Sequence, residues 1–129
     1  MIDRRTFTGM LAGAGAMIVA SRALAQGKTV DVLVKNSPKA IFAPATVNIR
    51  VGDTVKWTNP SFITHSVTFD PAQAADVGNA ALPPGVAPFD SGAMEEGTTF
   101  SHMFTQNGTY KYFCKFHEAM GMVGTVVVS

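Results

Sequence analysis

This chain has little with which to cross-link itself: one cysteine, Cys114, in 129 residues, so no internal disulfide can form. Histidine is nearly as scarce, with three in the whole sequence, and tryptophan occurs once. Charged residues amount to 15% and form no basic stripe, so nothing points to nucleic acid as a partner. No apolar run is long enough for a membrane span. The run from Gly9 to Ala20 is about 12 residues, against the roughly 20 that a hydrocarbon core of about 30 Å demands. Helical periodicity is also missing after Gln26. A lone thiol in an oxidising compartment is a liability unless it is buried or occupied by a metal.

The compartment is suggested by the first 25 residues. Arg4-Arg5 precedes the Gly/Ala-rich run, and Ala23-Leu24-Ala25 follows it with the small-x-small pattern that a signal peptidase reads. We read residues 1–25 as an export signal and the periplasm as the destination. Arg4-Arg5 with Phe7 resembles a twin-arginine signal, although Asp3 and Thr8 stand where Ser/Thr and an aliphatic residue are commoner. An amphipathic helix of the mature fold is the blander reading, but the run has no charged face. Residues 26–129 then leave roughly 100 residues, enough for one domain with one core. Without Arg4, Arg5 and Arg22 the basic residues fall from 10 to 7, and without Asp3 the acidic ones fall from 9 to 8. The mature net charge is therefore 7 − 8 = −1. A soluble monomer with no membrane span is expected.

From Lys28 onward the pattern has a period of two, which is the signature of strands. Val30, Val32 and Val34 alternate with Asp31, Leu33 and Lys35. Further strands are expected over 46–51, 54–58, 65–69, 97–104, 109–113 and 123–128, with turns at Gly52-Asp53 and Asn107-Gly108. The β-branched run Val126-Val127-Val128 suits an inner strand. Seven or eight short strands predict an all-β fold, an antiparallel β-sandwich. Between Phe69 and Met94 the pattern breaks. One helical turn is expected over 72–76, and Pro83-Pro84-Gly85 with Pro88 forces an irregular surface path.

The chemistry concentrates in Cys114-Lys115-Phe116-His117-Glu118-Ala119-Met120-Gly121-Met122. A thiolate, an imidazole and a thioether fall within nine residues between two strands, where a loop can curl them around one point. A second imidazole, His65, lies about 50 residues earlier. Two imidazoles and a thiolate with a weak thioether suit copper in both Cu(I) and Cu(II) states. Zinc prefers four strong ligands, and methionine is not among its usual ones. A lone cysteine on a strand is ordinarily apolar filler, and a lone histidine is ordinarily structural. The spacing of His117 and Met122 from Cys114 argues against both readings here. His102, between Phe100 and Phe104, has no ligand-spaced partner and reads as a packing histidine. Met10, Met17, Met94 and Met103 show no ligand spacing either.

Cys-x2-His-x4-Met, preceded by Gly108-Thr109-Tyr110-x-Tyr112-Phe113 and followed by Val123-Gly124-x-Val126, resembles the cupredoxins, in particular their plastocyanin, amicyanin and pseudoazurin branch. Gly52-Asp53-Thr54-Val55-Lys56-Trp57-Thr58-Asn59 and His65-Ser66-Val67-Thr68-Phe69-Asp70 extend the resemblance across Lys28 to Ser129. It implies a Greek-key sandwich, one type 1 copper ion on His65, Cys114, His117 and Met122, and an exported carrier of single electrons. Met120 competes for the axial place, because amicyanin-like loops use that spacing. The resemblance further implies His117 as the electron port, where redox proteins dock transiently. Three departures stand out. Ser66 replaces the asparagine that usually ties the ligand loops, Phe116 replaces a proline, and Phe113 replaces the tyrosine that plastocyanins use as a remote port. The rival reading is a copper-binding module for periplasmic storage, delivery or resistance. Enzymes built on this fold need further histidines for a second copper centre, so catalysis is not expected.

Overall fold

Alternating burial shapes the strands. In β1, Thr29–Lys35, Val32 and Val34 are fully buried while Asp31 and Leu33 face out. In β4, Thr54–Thr58, Val55 and Trp57 turn inward. The same rhythm places Tyr110 and Tyr112 of β8, Gly108–Phe113, and Val126 and Val128 of β9, Val123–Val128, in the core. The computed structural model describes residues 27–129, so the export signal read at 1–25 lies outside the described residues. Among the described residues nine strands form two sheets. One sheet takes the order β2-β1-β4-β7, with β2 at Ile41–Ala43 and β7 at Thr99–Met103. The other runs β3-β9-β8-β5-β6, with β3 at Thr46–Ile49, β5 at Thr68–Phe69 and β6 at Phe89–Asp90.

Side chains from both sheets meet in one core containing Trp57, Phe69, Phe104, Tyr110 and Tyr112. Trp57 Nε1–H donates to the Tyr112 hydroxyl at 3.1 Å, pinning one sheet to the other. The bond also satisfies an indole donor that burial would otherwise orphan. Burial pushes the Tyr112 hydroxyl far above its ordinary range, so the phenol stays neutral.

The all-β sandwich is as expected, but its pairing is mixed. β1 lies parallel to β4 and β3 parallel to β9, while the other pairs are antiparallel. A period of two is the same in either orientation, so alternation could not tell them apart. The short strands β2 and β6 were also not foreseen. Conversely, the strand expected over 65–69 is reduced to β5, with His65 in an isolated bridge to Met94. The cause lies in the backbone donors. Ser66 N–H goes to Cys114 Sγ at 3.3 Å and Val67 N–H to Ser91 Oγ at 2.8 Å, so side chains interrupt the ladder. The single helical turn expected at 72–76 is instead two 3-10 turns, Pro71–Gln73 and Val77–Asn79. The side chains of Asp70 and Asp76 cap them.

Asp53 fastens the entrance to β4. Its carboxylate accepts Lys28 N–H at 2.8 Å and Arg50 N–H at 2.9 Å. Those backbone bonds, Arg50 first, hold its pKa below the ordinary 3.8. A folded pKa below the unfolded one stabilises fully above pH 3.8, and the contribution fades as pH falls through the folded value. Asp53→Asn is therefore expected to melt below the wild type at pH 7, with the gap closing under acid. Thermal melts at neutral pH and near pH 2 check this, and a gap of constant size would contradict it.

Candidate metal centre

Cys114 follows β8 directly, and the loop from it to Met122 is closed at its base. Cys114 N–H donates to Met122 O at 3.1 Å, and Met122 N–H to His117 O at 3.3 Å. Within the loop His117 N–H donates to Cys114 O at 3.1 Å, and a 3-10 turn follows at Glu118–Met120. Gly121 ends that turn at φ +84°, a left-handed conformation that a side chain would strain. This reversal lets Met122 return to the core as β9 begins. Glu118 secures the outer side of the loop. Its carboxylate accepts from Ala75 N–H, Asp76 N–H and Asn79 Nδ2 at 2.9, 3.0 and 3.0 Å. These bonds, Asn79 first, keep its pKa below its usual range.

His65 arrives from the other sheet's connection, after β4. Both its backbone groups are paired with Met94, N–H to O at 3.2 Å and O from N–H at 2.7 Å. Asn59, fully buried, organises this segment. Its Nδ2 donates to Ile63 O at 2.8 Å and Met94 O at 2.9 Å, while Oδ1 accepts from Ser61 N–H and Oγ–H. In the sequence Asn59 figures only as the end of the Gly52-to-Asn59 stretch, with no role of its own.

The ligand atoms of His65, Cys114 and His117 all lie within 4.8 Å of one another. His65 Nδ1 is 3.7 Å and His117 Nδ1 3.5 Å from Cys114 Sγ. A metal bound to nitrogen at about 2.0 Å and to a thiolate at about 2.3 Å separates those atoms by roughly 3.5–3.7 Å for angles between tetrahedral and trigonal. The spacing therefore fits one shared ion. His65 and Cys114 are fully buried, His117 partly exposed. Desolvation, and then the neighbouring His117, lowers the His65 pKa, favouring the neutral imidazole that offers a lone pair. Its Nε2 is buried with no hydrogen-bond partner. Softness adds to the fit, because a thiolate with two imidazoles matches copper.

Ser66 proves long enough for the tie expected of a longer side chain. Its Oγ accepts Lys115 N–H at 2.9 Å, joining the His65 segment to the Cys114 loop. The two methionines are clearly separated in environment: Met122 is 0% exposed and packs in the same core cluster as Cys114, whereas Met120 is 65% exposed. His102 stands apart, its ring stacked on Phe89 at 3.7 Å between centroids. Phe113 is fully buried, so it presents no surface for a remote port.

Comparison with known proteins places these residues in a wider set. The model of a family described as copper binding proteins, plastocyanin/azurin family, matches residues 28–129. A chloroplastic plastocyanin of Tetradesmus obliquus is 36% identical over 97 residues, which is 72% of this chain and 61% of that protein. A plastocyanin of Scenedesmus fuscus is 34% identical over 101 residues, covering 76% of this chain and 99% of its own length. Among solved structures, pseudoazurin from Methylobacterium extorquens superposes with a TM-score of 0.62 at 28% identity, over 78% of this chain and 75% of that one.

Proposed function

This chain belongs to the plastocyanin/azurin family of copper-binding proteins, and on that premise we propose that it shuttles single electrons between redox proteins from a type 1 site formed by His65, Cys114, His117 and Met122. The observation that carries the proposal is the meeting of two Nδ1 atoms and one thiolate sulfur at 3.5 and 3.7 Å, with Cys114 set at the border of the apolar core. Copper bound there would supply the chemistry by alternating between Cu(I) and Cu(II). The protein's own contribution is to hold the donors still. The backbone bonds of Met94 to His65, and those within the 114–122 loop, leave the donors little freedom to rearrange when the charge changes.

His117 is the electron port in this reading. It is the partly exposed member of the trio, with Phe116 at 49% and Met120 at 65% exposure beside it in the chain. An apolar rim suits the brief, small-area encounters of redox partners. The mature protein is read as periplasmic, the export signal at 1–25 being part of this proposal. Electron carriage, not catalysis, is the role that a single three-donor cluster among the described residues supports.

Loading with copper should give an intense visible thiolate-to-copper band and a reversible one-electron wave. A colourless complex, or one that loses copper on reduction, would favour storage or delivery instead. The methionines divide the same test. Met122→Ala is expected to shift the potential and the band, and to cost about 2–5 kcal/mol as a core truncation. Met120→Ala should leave both signals within error, since its side chain is exposed. Equal effects from the two would remove Met122 from the site.

A further inference from the structure

A ring of hydrogen bonds runs from the thiolate loop through three side chains and back to the same residue. Lys115 N–H donates to Ser66 Oγ at 2.9 Å, Ser66 Oγ lies 2.9 Å from Thr68 Oγ1, and Thr68 Oγ1 donates to Asp90 Oδ1 at 3.0 Å. Asp90 Oδ2 then accepts from Lys115 Nζ at 2.9 Å. Ser66 and Thr68 are fully buried, and the Lys115–Asp90 pair covers the outer edge with side chains 30% and 21% exposed.

The carboxylate decides the order of protons in this ring. An ionised Asp90 can only accept, so the Thr68 hydroxyl must point at it. Thr68 then has only lone pairs to offer Ser66, whose hydroxyl must donate to it. That leaves the Ser66 oxygen free to accept Lys115 N–H. Every donor thus points one way, from the residue after the thiolate towards Asp90, an arrangement in which each bond polarises the next. Ser66 is at once the residue whose own N–H reaches Cys114 Sγ at 3.3 Å.

We propose that Thr68 and Asp90 are positioning residues for the metal centre, acting through Ser66 to hold its N–H on the Cys114 sulfur and so to raise the reduction potential. A hydrogen bond to the sulfur withdraws electron density from the thiolate, which disfavours Cu(II) relative to Cu(I). This rests on the electron-carrier reading above. Asp90 sits on β6, two residues long and at the edge of its sheet, where its pairing with Thr68 of β5 sets the carboxylate beside the Thr68 hydroxyl.

Thr68→Val tests the proposal, because it removes one hydroxyl without changing charge or appreciable volume. Two measurements are made. In the metal-free protein, amide exchange at Lys115 is expected to quicken at least about tenfold, as the N–H loses its ordered acceptor. In the copper-loaded protein, the Cu(I)/Cu(II) equilibrium should move about tenfold towards Cu(II), a fall of 59 mV for one electron, with a displaced visible band. Thr68→Ser should restore both. Wild-type exchange and potential in a folded Thr68→Val overturns the proposal. So does a silent Thr68→Val beside an Asp90→Asn whose potential rises, since charge alone would then be acting. If the exchange responds but wild-type protein never colours with copper, the carrier reading falls and takes the potential claim with it.

Discussion

Cys114→Ala is expected to abolish the intense visible band altogether and to weaken copper binding well over about 100-fold, beyond what loss of a supporting partner costs. Neither the imidazoles nor a thioether can replace the thiolate, whose donation to copper produces the colour and most of the bond strength. There is no second thiol in the chain to take its place. The metal-free fold should survive. The cavity left by the sulfur, with the loss of a weak acceptor for the buried Ser66 N–H, costs on the order of 1–2 kcal/mol. The metal-free variant should therefore melt within about 10 °C of the metal-free wild type. Spectroscopy with copper and calorimetry without it separate the two effects. A persistent band would mean that the thiolate is not the chromophore.

Gly124→Ala should be the most damaging small substitution in the sandwich. Gly124 lies directly opposite Tyr112 on the neighbouring strand, and the tyrosine ring folds across it. A methyl at this position would overlap Tyr112 Cζ and its hydroxyl oxygen. The ring has no empty space to yield into, being fully buried against Phe42, Trp57 and Phe69. Displacing it also breaks the bond from Trp57 Nε1. Overpacking costs about 1–3 kcal/mol and an orphaned buried donor about 1–3 kcal/mol more, so a loss of roughly 2–6 kcal/mol is expected. For a domain of this size that lowers the melting temperature by more than about 10 °C. Tyr112→Phe in the same background should recover part of it by clearing the hydroxyl. A variant that melts like the wild type would show that the ring has somewhere else to go.

The strands that alternate cleanly were readable from the sequence because one face of each is apolar and the other polar. The three clustered donors, and the Met122 proposed with them, were readable for a different reason. Cys114, His117 and Met122 share one short loop, and His65 had few rivals among three histidines. What escaped was set by partners far apart in the chain. Nothing about residues 65–69 announces that Ser66 and Val67 spend their amides on Cys114 and Ser91, 48 and 24 residues away. Without that knowledge the segment looks like an ordinary strand. Asp90 is equally opaque. Its meaning comes from Thr68, 22 residues before it, and Lys115, 25 after. Parallel pairing was hidden too, since β1 reaches β4 only after the chain has visited β2 and β3.

The distance in sequence between His65 and the loop that carries the other donors has a thermodynamic reading. An unfolded chain can present Cys114, His117 and Met122 together, but the third strong donor is 49 residues from the thiolate, and bringing it in demands closure of the whole sandwich. The complete set of donors thus exists in the native ensemble alone. Metal binding to the folded chain therefore adds to its folding free energy, and the apparent stability of the fold should rise with copper concentration.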